Sequence, residues 1–161
     1  MGKSDRLTPL EAHHFFGVRF NNRAWDLLEK EKRDADENEE MRHVAHASYI
    51  HWTVAGKEVN RQRGAWLLAR VYAELEEPAA AVAYAQECKR WTDDHDDQME
   101  DFDRFYSLEA LARAAAVSGN LDVAREAYDR ARDALKEIKG KEDRKIAKGD
   151  LNKGFWGEFK P

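Results

Sequence analysis

Two stretches of the chain lie over one another without a gap, and that overlay constrains the fold more than any other feature. GAWLLARVYAELEEPAAAVAYAQEC, from Gly64, and SLEALARAAAVSGNLDVAREAYDRA, from Ser107, align at an offset of 43 residues. Ala69 then meets Ala112, Ala81 meets Ala124, and Cys88 meets Ala131. Small residues at matched points let antiparallel helices approach closely, while Leu68, Tyr72, Leu111 and Tyr128 fill the space around them. A chain that repeats in this way is a stack of helical hairpins.

The rest of the chain agrees with an all-α fold. Prolines stand only at Pro9, Pro78 and Pro161, outside the interior of every periodic segment, and Ala, Glu, Leu, Lys and Arg dominate. Helical spacing marks about six helices. The first runs near Pro9–Lys30 with Thr8 as its cap, and the second near Glu39–Ala55, ended by Gly56. Asn60 is placed to cap a third, to about Glu76, and Pro78 opens a fourth that reaches about Trp91. After the acidic DDHDDQMED come a fifth, near Phe102–Ser118, and a sixth that starts after Gly119-Asn120 and ends near Gly140. The tail beyond has weak helical character. Its aromatics Phe155, Trp156 and Phe159 are expected to dock on an apolar surface, capping the last hairpin or reaching a second subunit.

At 161 residues one domain is expected, long enough to bury a core. LARAAAVSGNLDVAREAYDRA resembles a tetratricopeptide repeat, with Leu111, Ala112, Gly119, Ala124, Tyr128 and Ala131 on its signature positions. The likeness is clearest over residues 105–138 and weaker over 62–95, where Glu76 replaces the turn glycine and Ala65 the tryptophan. The family's usual interval is about 34 residues, so the acidic linker reads as an insertion. The resemblance implies stacked hairpins whose concave face binds a peptide or protein partner. On this reading residues 1–56 are an atypical hairpin, 60–140 hold two repeat-like hairpins, and 141–161 are a C-terminal tail.

The stretch HVAHASYIHW carries three of the six histidines. Wound as a helix at about 100° per residue, His43, His46, Ala47, Ile50, His51 and Val54 share one arc, with Trp52, Ala45 and Tyr49 opposite. On the first helix Leu10, Phe16, Phe20, Ala24, Leu27 and Leu28 form a core stripe. A second arc holds Glu11, His14, Val18, Asn21, Asn22, Trp25 and Asp26. Asparagines inside a helix are locally unfavourable, so a tertiary role is expected of them. If the two helices pair, His14, Asn21, Asn22, Trp25 and Asp26 can face His43, His46 and His51 across a groove that binds a peptide, a protein or a small ligand.

Three chemistries compete for that arc. Glu11-x-x-His14 and Glu40-x-x-His43 have the spacing of carboxylate-bridged metal sites in helical bundles, but two further inward carboxylates are not evident. Acid–base catalysis is open to histidine, with Asp26 to orient it, yet no nucleophile and no GxSxG, HExxH or P-loop pattern is present. A hydrogen-bonded network that fixes helix register is the third. A binding or scaffold module without catalysis or cofactor is therefore favoured, and the alternative is a small helical enzyme or metal-binding protein using the same face.

Smaller features fit a soluble, cytoplasmic interaction protein. The net charge of −5 argues against nucleic acid. No apolar run reaches membrane or signal-peptide length. Cys88 is alone and expected buried. Asp93, Asp94, Asp96, Asp97 and Glu100 lack the glycine and terminal glutamate of a calcium loop. Arg63, Trp66 and Arg70 share one helix flank, where they can meet a carboxylate or one another. A second copy of the chain is a further candidate partner.

Overall fold

Thr8 stops the chain and starts the first helix: its Oγ1 accepts the Glu11 N–H at 3.3 Å, and the Glu11 carboxylate takes the Thr8 N–H at 2.8 Å. Pro9, which has no N–H to satisfy, then opens α1 (Pro9–Leu28). A computed structural model describes residues 6–161, and residues 1–5 of the N-terminal segment lie outside the described residues. After α1 come α2 (Ala35–Ala55), α3 (Glu58–Glu74), α4 (Pro78–Asp94), α5 (Asp101–Val117), α6 (Leu121–Glu137) and α7 (Lys141–Leu151). There is no strand among the described residues.

Helix α2 begins earlier than its apolar spacing predicts. Asp34 and Glu37 form a second reciprocal cap, so the charged stretch before Glu39 is helical despite carrying no apolar stripe. The acidic linker is likewise shorter than its composition implies. Helix α4 continues to Asp94, a short 3-10 turn covers Asp96–Gln98, and α5 is already under way at Asp101. Two of its carboxylates have local ion-pair partners, with Asp93 paired to Lys89 and Asp96 to Arg104.

Neighbouring helices pack as pairs, α1 with α2, α3 with α4 and α5 with α6, and each pair leans on the next through α2–α3, α4–α5 and α3–α5. This is compatible with a helical repeat. The turns confirm the internal offset. Glu76 has a φ of 58° and Gly119 a φ of 76°, so the residue replacing glycine adopts the same left-handed conformation. The bonds match too: Glu77 N–H to Tyr72 O and Glu76 N–H to Ala73 O recur as Asn120 N–H to Ala115 O and Gly119 N–H to Ala116 O.

Alanine supplies half of the buried apolar positions. Ala24, Ala45, Ala65, Ala69, Ala81 and Ala85 are buried among Leu27, Met41, Leu67 and Leu68, while Ala112, Ala124 and Ala131 surround Phe105, Tyr128 and Ile138. Cys88 is fully buried, and burial pushes its thiol up. The tail, which looked weakly structured, forms α7 and packs on α5 and α6. Trp156 and Phe159 then bury against Tyr128, with ring centroids 5.5 and 5.6 Å away, so the last hairpin is capped from within the chain. Phe155 is only half-buried.

The α1–α2 pair turns differently from its expected pairing. Ser48 donates its hydroxyl to the Gly17 carbonyl at 2.9 Å, and Met41, Val44, Ala45 and Ser48 form the buried face of α2. Gly17 is needed there, because a Cβ on it would sit 2.9 Å from the Trp52 ring. Ile50 and Val54, the apolar members of the histidine arc, are 63% and 54% exposed. On α1 the stripe is buried only at Ala24 and Leu27, while Leu10 and Phe16 remain exposed.

Candidate functional site

Helices α1, α3, α5 and α7 each contribute a flank to one cavity of about 360 Å³. Helix α1 supplies Asn21 and Trp25, with Glu29 just past its end, and α3 supplies Gln62, Arg63, Trp66 and Leu67. Helix α5 adds Phe102, Asp103 and Tyr106, and α7 closes the side with Ile146 and Asp150. Trp25 stacks on Trp66 at 5.3 Å and Trp66 meets Tyr106 at 4.6 Å, so three aromatic rings run in series across three helices.

Buried ion pairs hold this wall in place. Glu109 accepts the Trp66 indole N–H at 2.8 Å, Arg70 at 3.2 Å and Arg113 at 2.6 Å. Arg70 and Arg113 occupy equivalent positions of the repeat and close on this carboxylate from two helices. Burial works to raise the Glu109 carboxyl, but Arg113, Arg70 and the Trp66 N–H outweigh it and hold it below its ordinary value. Arg113 spends its other donors on the carbonyls of Asp150, Lys153 and Phe155, fastening the end of α7 and the tail beside the cavity.

Two polar features face the cavity. Arg63 clasps the buried Asp103 through Nε at 2.8 Å and Nη2 at 3.0 Å, with its plane 5.0 Å over Phe102. Tyr106 donates its hydroxyl to Asp150 at 2.6 Å, and burial raises the Asp150 carboxyl above its ordinary value. Gln62 is fully buried in the lining. Its amide nitrogen donates to Thr92 Oγ1 at 3.2 Å and to the Asp103 carbonyl at 3.1 Å, and lies 3.4 Å from the Cys88 sulfur. A carbonyl can only accept, so this network fixes which end is nitrogen, and the amide oxygen is left with no partner. An unpaired buried acceptor costs about 1–3 kcal/mol, and because Gln62 has no exposed surface this is a cost to the packing beneath the cavity wall.

Of the residues singled out from the sequence, Asn21 and Trp25 line this cavity. The others are dispersed. Asn22 and Asp26 lie exposed on α1, and exposed His14 sets its ring edge-on to Trp52 at 5.1 Å. His43 is 73% exposed, with only Glu39 beside it at 3.3 Å. His46 shares a 2.8 Å hydrogen bond with Tyr72, on the side of α2 that meets α3 and α4, and burial lowers its pKa. His51 pairs with His13 at 2.9 Å and stacks on Phe20. Gly17 and Ser48 bring the first two helices into direct contact, a shallow hollow lined by Phe20, Asn22, Asp26, Glu40 and Val44 remains between them, and the cavity walled by Trp25 and Trp66 lies one layer away.

The dispersal also separates the metal-like spacings. Glu11 is engaged in the cap of α1 and Glu40 pairs with Arg23 at 2.7 Å. No group of three His, Cys, Asp or Glu side chains is arranged to hold a metal ion among the described residues.

Arg63, Trp66 and Arg70 do meet carboxylates, but these are the protein's own Asp103 and Glu109. Sequence reasoning missed Gln62, Asp103, Tyr106, Glu109 and Asp150. The repeat offset carried a signal for part of this set, because it maps Arg70 onto Arg113 and Trp66 onto Glu109 along the same helix face. Comparison with protein-family models, curated proteins and solved structures finds no match to this chain.

Proposed function

We propose that the protein is an interaction module of tetratricopeptide-like design that holds a segment of a partner polypeptide in the groove between α1, α3, α5 and α7. The observation that carries this reading is the aromatic-walled cavity of about 360 Å³. A volume of that size suits a small group rather than a whole helix, and apolar walls with few polar points are the usual make-up of a binding site. A second hollow continues from it, sharing Trp25, Glu29 and Asp150 and extending past Arg33, Glu74 and Lys153. The two together make a path along which an extended segment can lie. The buried Arg70–Glu109–Arg113 cluster supports the reading in another way, since it makes the groove wall rigid before any partner arrives.

The test is an array of 12-residue peptides probed with the purified protein and with Trp25→Ala, whose folding is verified by circular dichroism. Retention of a defined subset by the native protein, with loss in the folded variant, is the expected result. Equal retention by both proteins, or none by either, overturns the reading.

A further inference from the structure

We infer that the cavity between α1, α3, α5 and α7 receives a basic side chain, lysine or arginine, from the bound segment. This rests on the reading of the groove as a peptide site and names what the site selects.

Two independent features of the lining ask for the same chemistry. The first is charge. In the cavity lining itself Glu29, Asp103 and Asp150 stand against one cation, Arg63, and Arg70, which also lies near Asp150, is committed to Glu109. Arg63 is already committed, with Nε and Nη2 on Asp103 and its plane over Phe102. Glu29 has no ion-pair partner among the described residues, and it stands at the exposed rim where an incoming cation passes. The second is the wall itself. Trp25, Trp66, Phe102 and Tyr106 offer electron-rich faces, which attract an ammonium or guanidinium group and also pack against the methylenes that carry it.

An acidic side chain fails each of these requirements. It is repelled by Glu29 and Asp150, and it gains nothing from the aromatic faces. A neutral apolar side chain uses the walls but leaves the carboxylates unanswered.

The experiment uses blocked 12-residue peptides of one glycine–serine frame whose central position is arginine, lysine, citrulline, norleucine or glutamate. Binding to the full chain is followed by titration calorimetry and tryptophan fluorescence. Arginine and lysine peptides are expected to bind about tenfold or more tightly than citrulline and norleucine peptides, with affinity falling as salt is raised, and glutamate weakest of all. The variant Glu29→Lys, altered at an exposed position, should keep its melting temperature and lose most of the preference for basic residues. Peptides that bind without regard to charge, or with acidic residues favoured, overturn the inference and leave the peptide groove standing. If the peptide array of the preceding section also retains nothing, the groove reading falls and this one with it.

Discussion

Trp66 and Glu109 meet across the α3–α5 junction, indole N–H to carboxylate at 2.8 Å, with both side chains closed off from water. The same carboxylate holds Arg70 and Arg113, so removing it strands two buried cations. Glu109→Ala should cost about 3–5 kcal/mol in urea unfolding, because uncompensated buried charge is the expensive outcome. The pH dependence follows in sign. The folded carboxyl lies below its ordinary value of 4.5, so its contribution is complete above that value and is lost as pH falls through the folded pKa. Unfolding free energy measured across that acid range should fall less steeply in Glu109→Gln than in the native protein.

Glu76 holds a left-handed backbone where its repeat counterpart is Gly119. That conformation costs a side-chain-bearing residue roughly 1–2 kcal/mol. Glycine removes the strain but gives back about 0.4–1 kcal/mol through a freer unfolded chain. Glu76→Gly should therefore raise stability by about 0.5–1 kcal/mol, a net gain within those limits. Gly119→Ala should lower it, although a Cβ there meets no neighbour within 4 Å. A pair of thermal melts decides both.

The tail is structural. Trp156 lies under Arg113, whose guanidinium carbon is 3.9 Å from the ring centroid, and touches Tyr128 and Phe159. Trp156→Ala should cost about 3–5 kcal/mol, the usual loss for a large buried aromatic. Truncation after Asn152 should cost more, because it also strips from Arg113 the carbonyls of Lys153 and Phe155. Unchanged urea midpoints for both would show that the tail does not hold α5 and α6.

The histidines separate by environment. His43→Ala should stay within about 0.5 kcal/mol of native stability, since a solvent-exposed side chain leaves nothing unpaired when it is removed. His46→Ala strands the Tyr72 hydroxyl, now half-satisfied in a crowded site, and should cost about 1–3 kcal/mol. Burial lowers the His46 pKa, so the unfolded chain binds more protons than the folded one just below the ordinary value of 6.5. Stability should then decline as pH falls through 6.5 and level off once the folded pKa is passed, and His46→Gln should flatten part of that slope.

The histidine stretch shows where sequence reasoning stopped. Two arcs of α2 are comparably apolar: one with Met41, Val44 and Ala45, the other with Ile50, Val54 and the imidazoles. Periodicity reports that a helix has faces but does not rank two similar ones. The choice was made by a shape on another helix, because Gly17 lets α2 come close only with Ser48 and Trp52 toward it. Large apolar residues at Ile50 and Val54 were thereby left in solvent.

What this chain determined by itself was local: helices from spacing three and four apart, starts from Thr8 and Pro78, and a turn geometry repeated at an interval of 43 residues even where glutamate replaced glycine. Such features depend on residues within one or two turns of each other, so they are legible in order along the sequence. The cavity is of another kind. Its walls come from positions as distant as Asn21 and Asp150, and its polar character depends on which donors and acceptors are used up elsewhere. Gln62 is an ordinary helical residue until Thr92 and Asp103 take its nitrogen and leave its oxygen bare. Hydrogen-bond satisfaction is a property of the packed ensemble of groups, and only the tertiary structure could decide it.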